Sequence, residues 1–515
     1  MVAKNERKLA ATIMLQGTAS HVGKSALVAG LCRIFMQDGY RVAPFKSWNM
    51  ALNSYVTADG GEIGRAQGEQ AEAAGIEASV HLNPILVKPK GPGQAEVIIR
   101  GHHYRNVDYE TRSQEAYLNF SLQIIGESLA LLRRDFEIIV LEGAGSPAEI
   151  NLQHQDVANM KAASLASAPV LLVCDLDRGG ALAAAVGTML LLPEEDRKKV
   201  AGFIFNKFRG EFAILEPALK IVQEKTGVPV LGVVPYLAQT GLGEEDGVAL
   251  DCSYANVEHG ADQLRICAIR LPYIANFTDF DALAREKDVS LFYASTPEEL
   301  VGADAVILPG TKNSIAAMRF LLESGLALGI KELAGCGVPV VGICGGYQLL
   351  GQSLADLTGG EGGGAPLLLS GLGLLPTETI FYPQKRVRRT NATACLPFAV
   401  TEEVDGYEIH MGQTERAFGC APAFLLENGT EEGAVSADGT VWGTYLHGLF
   451  ERPAFRRSWL NTLRARRHWP LLAATAPEDK GSRFDLLADA VRSSLDMSAV
   501  YGLLSLPGPR KGGKL

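Results

Sequence analysis

The chain has eight cysteines in 515 residues, and none of them forms a CxxC pair or stands at a Cys/His metal spacing. That excludes a zinc-organised module and a disulfide-stapled secreted scaffold. Cys32, Cys174, Cys252, Cys267, Cys336, Cys344, Cys395 and Cys420 are scattered through largely apolar runs. This points to reduced thiols and a cytoplasmic setting. No long hydrophobic run is present. The longest low-charge stretch, 179–193, is shorter than the roughly 18 residues that span a bilayer, so no membrane partner is expected. The N-terminus carries Lys4, Glu6, Arg7 and Lys8, and the short apolar run after it leads into a glycine loop. It reads as a first strand rather than a signal peptide. An excess of positive charge is also missing. The net charge is −10, which argues against nucleic acid as the main partner, and the lone basic run KRVRR, 385–389, reads as a solvated strand face. No repeat of about 20 to 50 residues is visible.

What is present is the content of at least two soluble domains: 47% apolar and 21% charged residues over a length too great for one core. An apolar run, 9–16, precedes GTASHVGKS, 17–25, and a helical pattern follows. A strand, a glycine loop ending in Gly-Lys-Ser and a helix form the layout that cradles phosphates. Backbone N–H groups of the loop, with Gly17, Thr18 and Gly23 in it, face the anion. Lys24 adds a point charge and Ser25 suits Mg²⁺. The first glycine stands one residue early, with Thr18 in its usual place. A second strand ends at Lys46, which faces either the ligand crevice or solvent. The polar stretch 52–75 carries Asp59 and Glu62, and 81–89 reads as a further strand. The buried strand 135–143 ends in Glu142, a second metal candidate beside the loop or else a capping carboxylate. Strands at 169–180, 200–210 and 228–236 follow, with Asn206 placed to meet a nucleotide base. Strands alternating with helices predict a doubly wound parallel sheet whose crevice lies at the strands' carboxyl ends.

The alternation then restarts. Residues 1–240 are assigned to the first domain, 241–262 to a linker, 263–455 to a second α/β domain, 456–505 to a helical segment and 506–515 to a disordered tail. In VPVVGICGGYQLLG, 338–351, a buried strand stops at Cys344, glycines follow, and a helix begins. This is the build of a nucleophile elbow, with the helix N-terminus favouring thiolate. A cysteine nucleophile needs a base. His447 is the first choice and His410 the rival. Gly345, directly after the cysteine, and Gly310, in LPGTKN, are candidates for backbone N–H donors to an oxyanion. The stretch 358–366 reads as a flexible loop.

In order along the chain, GTASHVGKS, NMALNSYVTADGGEIGRAQ, EGAGSPAEINL, LDRGG, NKFRG, LPYIANFTDFDAL, LPGTKN, YEIHMG and GTYLHGLF resemble the segments of the cobyric acid synthases, glutamine-hydrolysing amide synthases of cobalamin biosynthesis. The resemblance covers nearly the whole chain. It implies a P-loop domain similar to dethiobiotin synthetase, joined to a class I glutamine amidotransferase-like domain. Cys344 would attack glutamine's amide and form a thioester, with His447 as base and acid. The P-loop domain would use ATP and Mg²⁺ to phosphorylate carboxylates b, d, e and g of adenosylcobyrinic acid a,c-diamide for displacement by ammonia. Glutamine and a corrinoid are then the substrates. Lys24 and Lys46 would neutralise charge on phosphoryl and carboxylate, and Ser25 and Glu142, with Asp59, would hold Mg²⁺. Departures are visible. The residue two after the histidine is Leu449, where ordinary class I amidotransferases have Glu, as is also so in corrinoid amide synthases. What orients His447 is therefore open. Trp48 and Cys174 stand where the family usually has Gln and Ala. Rival readings are a cobyrinic acid a,c-diamide synthase, an amide ligase for another carboxylate, and a P-loop switch ATPase with an inactive second domain.

Overall fold

The structure, a computed structural model, describes residues 9–237, 242, 260, 262–362, 364–476 and 479–510. The expected linker falls almost wholly outside the described residues. The first domain is built on a six-stranded sheet in the spatial order Val230–Pro235, Val200–Phe208, Val170–Asp175, Ala11–Gly17, Ile138–Glu142, Val42–Phe45. Every neighbouring pair is parallel. The inner strands are buried on both faces, which their unbroken Val/Ile/Leu runs require, while the edge strand Val230–Pro235 is only partly covered. The segment 81–89 does not join this sheet. Ile85–Gly91 forms a separate four-stranded sheet with Trp48–Met50, Gln94–Ile99 and His102–Asp108. The polar stretch after residue 52 is a small hairpin, Ser54–Val56 with Glu62–Gly64, leading into the helix Arg65–Ala73.

The second domain has a six-stranded sheet in the order Val289–Ala294, Leu264–Ile269, Ala305–Leu308, Val340–Ile343, Val441–Thr444, Ala434–Val435. All its pairs are parallel except the last. A second sheet is dominated by the long antiparallel ribbon Thr377–Ala394 with Glu403–Arg416. The chain leaves the first sheet after Thr444 and adds Leu446–His447 to the edge of the second, with His447 opposite Tyr407. That change of sheet places His447 at the mouth between them.

The C-terminal segment divides between the domains. Pro453–Arg466 packs on the second domain through Phe455, Trp459, Leu460 and Leu463. Lys480–Ser494 and Met497–Leu503 return to the first domain, where Leu487 and Val491 press against Gly30 of the helix Lys24–Gln37. Of the expected tail, 506–510 are held in place, and 511–515 lie outside the described residues. Tyr40 Oη donates to Gly508 O at 2.6 Å, and Arg510 pairs with Glu137 at 2.6 Å. In the expected loop 358–366, Asp356 Oδ2 accepts from the N–H groups of Glu361 and Gly362 at 2.9 and 2.6 Å. Only part of 385–389 is a solvated face: Arg386 is exposed, while other cations of the run are paired. Lys385 is buried between Glu62 and Glu96 of the first domain, Arg388 pairs with Glu408, and Arg389 donates to Val56 O at 2.6 Å. Among the described residues no helix is long and apolar enough to cross a membrane.

Candidate active sites

At the phosphate loop the chain turns sharply enough that Gly23 takes φ +92°, and a Cβ there would stand 2.3 Å from Asn206 Nδ2. Asn206 donates instead to Val22 O at 2.9 Å, and its neighbour Lys207 to His21 O at 2.6 Å. Strand Val200–Phe208 thus braces the loop from the side. Lys24 Nζ reaches across to Ala19 O (3.2 Å) and Gly145 O (3.3 Å). Ser25 Oγ donates to Glu142 Oε1 at 2.9 Å, and Lys46 Nζ meets the same oxygen at 2.9 Å. Gln70, from the helix Arg65–Ala73, donates to Glu142 Oε2 at 2.7 Å. Gly17, Thr18, Gly23, Lys24, Ser25, Lys46 and Glu142 therefore gather at one sheet edge, as the sequence suggests. Lys46 is buried against Glu142, which excludes the solvated alternative. The adjacent hydroxyl and carboxylate at a helix N-terminus are hard oxygen donors of the kind Mg²⁺ accepts beside phosphates. Asp59 is elsewhere. It is exposed, in the turn 57–61, and its carboxylate accepts from Thr57 Oγ1 rather than facing Ser25 and Glu142.

Beside this loop opens a cleft of about 730 Å³, lined by Trp48, Met50, Tyr117, Leu152 and Met160 and reaching Gly145. Gly145 O is the atom that Lys24 touches, so the cleft reaches the lysine of the glycine loop.

The second site surrounds Cys344. Its backbone is held at φ +52°, ψ −109°, a conformation unfavourable for a residue with a Cβ. The hydrogen bond from Cys344 N to Thr444 O, 2.7 Å, fixes it. The following helix packs so tightly that a Cβ on Gly346 would stand 1.8 Å from Leu308 O. The thiol lies at the bottom of a pocket lined by Gly310, Gly345, His410 and His447, and by Lys88 of the first domain. Gly310 and Gly345, the two oxyanion candidates, follow the paired strands Ala305–Leu308 and Val340–Ile343 and share this pocket.

His447 is fully buried. Its Nδ1 lies 2.7 Å from Asp279 Oδ2, and the other carboxylate oxygen accepts from Gly448 N at 3.0 Å. Burial opposes charge on the imidazole, but Asp279 and the Cys344 sulfur outweigh it and lift His447 to about 10. A carboxylate does face His447: Asp279, from the short helical turn Phe277–Phe280, stands where Leu449 offers none, so Cys344, His447 and Asp279 have the geometry of a triad. His410 does not share this role. Its Nδ1 is taken by Gly412 O at 2.7 Å, its ring stacks on Tyr445 at 3.7 Å, and its Nε2 faces Glu408 at 3.8 Å. Asp279 lies inside LPYIANFTDFDAL, and the absence of a carboxylate after the histidine was the signal to look for one elsewhere.

The two sites meet across a buried ionic cluster that sequence reasoning missed. Lys88 pairs with Glu62 (2.6 Å), Lys312 with Glu96 (2.7 Å), and Lys385 with both carboxylates. Burial alone would raise Glu62, yet Lys385 and Lys88 hold it down at about 2. Among the described residues no group of three or more His, Cys, Asp or Glu side chains forms a metal cage.

Comparison with known proteins follows the same division. Residues 13–248 match the CobQ/CobB/MinD/ParA nucleotide binding domain, and residues 265–455 match the CobB/CobQ-like glutamine amidotransferase domain. A cobyric acid synthase of Desulforamulus reducens is 47% identical over 512 residues, 97% of this chain and 99% of the relative. One from Moorella thermoacetica is 47% identical over 97% of this chain and 98% of the relative. One from Salmonella heidelberg is 48% identical over 96% and 98%.

Proposed function

The chain belongs to the cobyric acid synthase family, and on that premise we propose that it amidates carboxylates b, d, e and g of adenosylcobyrinic acid a,c-diamide, using ATP and glutamine. The observation that carries this is the completed triad Cys344–His447–Asp279 facing a pocket that the P-loop domain closes with Lys88.

In the second domain the Cys344 sulfur attacks the side-chain amide carbon of glutamine. His447 takes the thiol proton at Nε2 and passes it to the leaving nitrogen, so ammonia departs and a thioester remains. Water then attacks the thioester, releasing glutamate and restoring the thiol. Asp279 keeps the proton on Nδ1, so that Nε2 is the basic nitrogen. N–H groups of Gly345 and Gly310 receive the charge that develops on the carbonyl oxygen. In the first domain a substrate carboxylate oxygen attacks the terminal phosphorus of ATP, ADP leaves, and an acyl phosphate forms. Ammonia attacks the acyl carbon and phosphate departs. Lys24 and Lys46 neutralise the phosphoryl and carboxylate charges. Asn206 and Lys207 brace the loop around the nucleotide. Ser25 and Glu142 would hold Mg²⁺, which supplies charge neutralisation at the phosphates; Asp59 is not assigned to it. The cleft at Trp48 is wide and apolar enough for a face of a large macrocycle, and it opens at the atom beside Lys24.

Mass spectrometry of the diamide incubated with enzyme, ATP, Mg²⁺ and glutamine tests the reading. Four successive replacements of OH by NH₂ are expected, and a corrinoid of unchanged mass refutes it.

A further inference from the structure

The cleft of about 730 Å³ beside the phosphate loop has an apolar wall and a charged rim. Trp48, Met50, Leu152 and Met160 suit the face of a ring, but the proposed substrate is not apolar. It carries four carboxylates, and only one can lie at Lys24 and Lys46 at a time. Any other that is drawn against the wall needs a partner, because an unpaired buried carboxylate is costly. The cleft holds donors suited to it. Arg112, from the short helix Tyr109–Ser113, lines it, and Arg112 Nε is buried with no hydrogen-bond partner among the described residues. Tyr117 lines it too and is only 7% exposed. Its Oη makes no hydrogen bond there, since Ser121 Oγ donates to Tyr117 O at 2.8 Å. Burial pushes the Tyr117 hydroxyl up and the Arg112 charge draws it back, as expected of neighbours. The nearby carboxylates are committed elsewhere. Asp108 accepts from Thr111 N at 2.7 Å. Asp156 accepts from the N–H groups of Ala158, Asn159 and Lys161, and Asp196 pairs with Lys199 at 2.6 Å. Glu149 is exposed.

We infer that Arg112, together with Tyr117 Oη, binds a second carboxylate of the corrinoid while the first is phosphorylated beside Lys24. This rests on the reading of the cleft as the corrinoid site. A guanidinium presents a planar fork that meets a carboxylate through two parallel N–H···O bonds, and the phenol adds a third donor. Lys161, whose Nζ contacts His154 O at 3.4 Å, brings a second cation to the same cleft. The site takes an acid and not its amide. An amide has no charge for the guanidinium, and its NH₂ turns a donor toward donors. Arg112 is therefore a specificity residue: it favours the corrinoid that still carries free carboxylates over the product that carries none.

The test uses the full chain and two ligands, the a,c-diamide and the fully amidated product. Their dissociation constants are measured by equilibrium dialysis read through the corrin absorbance, beside steady-state amidation. Arg112→Met removes the fork and keeps an unbranched stem. Arg112→Lys keeps a point charge and serves if Arg112→Met does not fold. In Arg112→Met the diamide should bind about ten- to a hundredfold more weakly, while product binding changes less than about twofold and KM for ATP stays unchanged. Arg112→Lys should show a smaller loss of the same kind. KM for the diamide should rise with its dissociation constant, and kcat should fall by less than about threefold. Diamide binding within about twofold of wild type in both variants overturns the inference. Equal weakening of diamide and product overturns it too, because the loss is then one of packing, and a rise in KM for ATP alone assigns Arg112 to the nucleotide instead. A wild-type chain that neither binds nor amidates the diamide overturns the corrinoid reading and this inference with it. A wild type that amidates the diamide, with variants that do so at the same KM, overturns this inference alone.

Discussion

Replacing Asp279 by Asn changes one atom and reverses one hydrogen bond. Gly448 N–H, now donating to Oδ1 at 3.0 Å, fixes the oxygen of the new amide. Its NH₂ then faces Nδ1 of His447, where a carboxylate oxygen accepted at 2.7 Å. An amide N–H cannot accept, so the imidazole proton moves to Nε2, the atom that must receive the thiol proton. The imidazolium also loses the carboxylate that lifts His447 to about 10 against its burial. In a serine protease triad the same exchange lowers turnover about ten-thousandfold, about 5.5 kcal/mol of barrier. We expect glutamine-dependent glutamate release and amidation by Asp279→Asn to fall by about a thousand- to ten-thousandfold. The assay pairs that rate with amidation driven by ammonium chloride, which bypasses Cys344 and should stay near the wild-type value. A glutamine-dependent rate within about tenfold of wild type refutes the assignment of Asp279. A parallel loss of ammonia-driven activity refutes it too, because the damage would then lie in the fold and not in the base.

Cys344→Ser should abolish glutamate release while leaving ammonia-driven amidation; retained glutamate release would exclude the thioester. Glu142→Gln should lose amidation with either nitrogen source, by about a hundredfold or more, since the charge opposite Lys46 and the proposed Mg²⁺ ligand vanish together; ADP formation checks it. Lys385→Met should destabilise the chain by about 3–5 kcal/mol, because Glu62 and Glu96 stay buried with a cation removed; denaturant unfolding measures this. Glu62 is depressed from 4.5 to about 2, so its contribution is fully present above about 4.5 and lost as the pH falls toward 2. The wild-type melting temperature should therefore drop through that window, and the drop should be smaller in Lys385→Met.

Local patterns carried the parts of each site that one strand end can hold. The phosphate loop, Lys46 and Glu142 each lie at the carboxyl end of a parallel strand, so alternation alone assigns them to one edge. The elbow at Cys344 is equally local, being a strand, a strained residue and a helix within a dozen positions. What the sequence hid is what depends on distant contact. The final helices belong to the first domain because Leu487 and Val491 fit the small surface at Gly30, a pairing across more than four hundred residues that no periodicity announces. Lys385 reads as a solvated charge within KRVRR because its carboxylate partners come from another domain. Asp59, in a polar glycine-rich turn, carries the composition of a ligand loop but is exposed beside Thr57. Asp279 is the sharpest case. The usual class I pattern places the acid two residues after the histidine, on the same turn, and Leu449 there suggests a dyad. The imidazole needs a carboxylate at Nδ1 in space, and a turn 168 residues earlier satisfies it. The same turn carries Asn276 to Nε2. An acid placed after the histidine would orient the base from within its own domain. Placed on the turn that also touches Asn53 and Ser54, the acid shares its support with the first domain, and the orientation of the base follows from how the two domains meet.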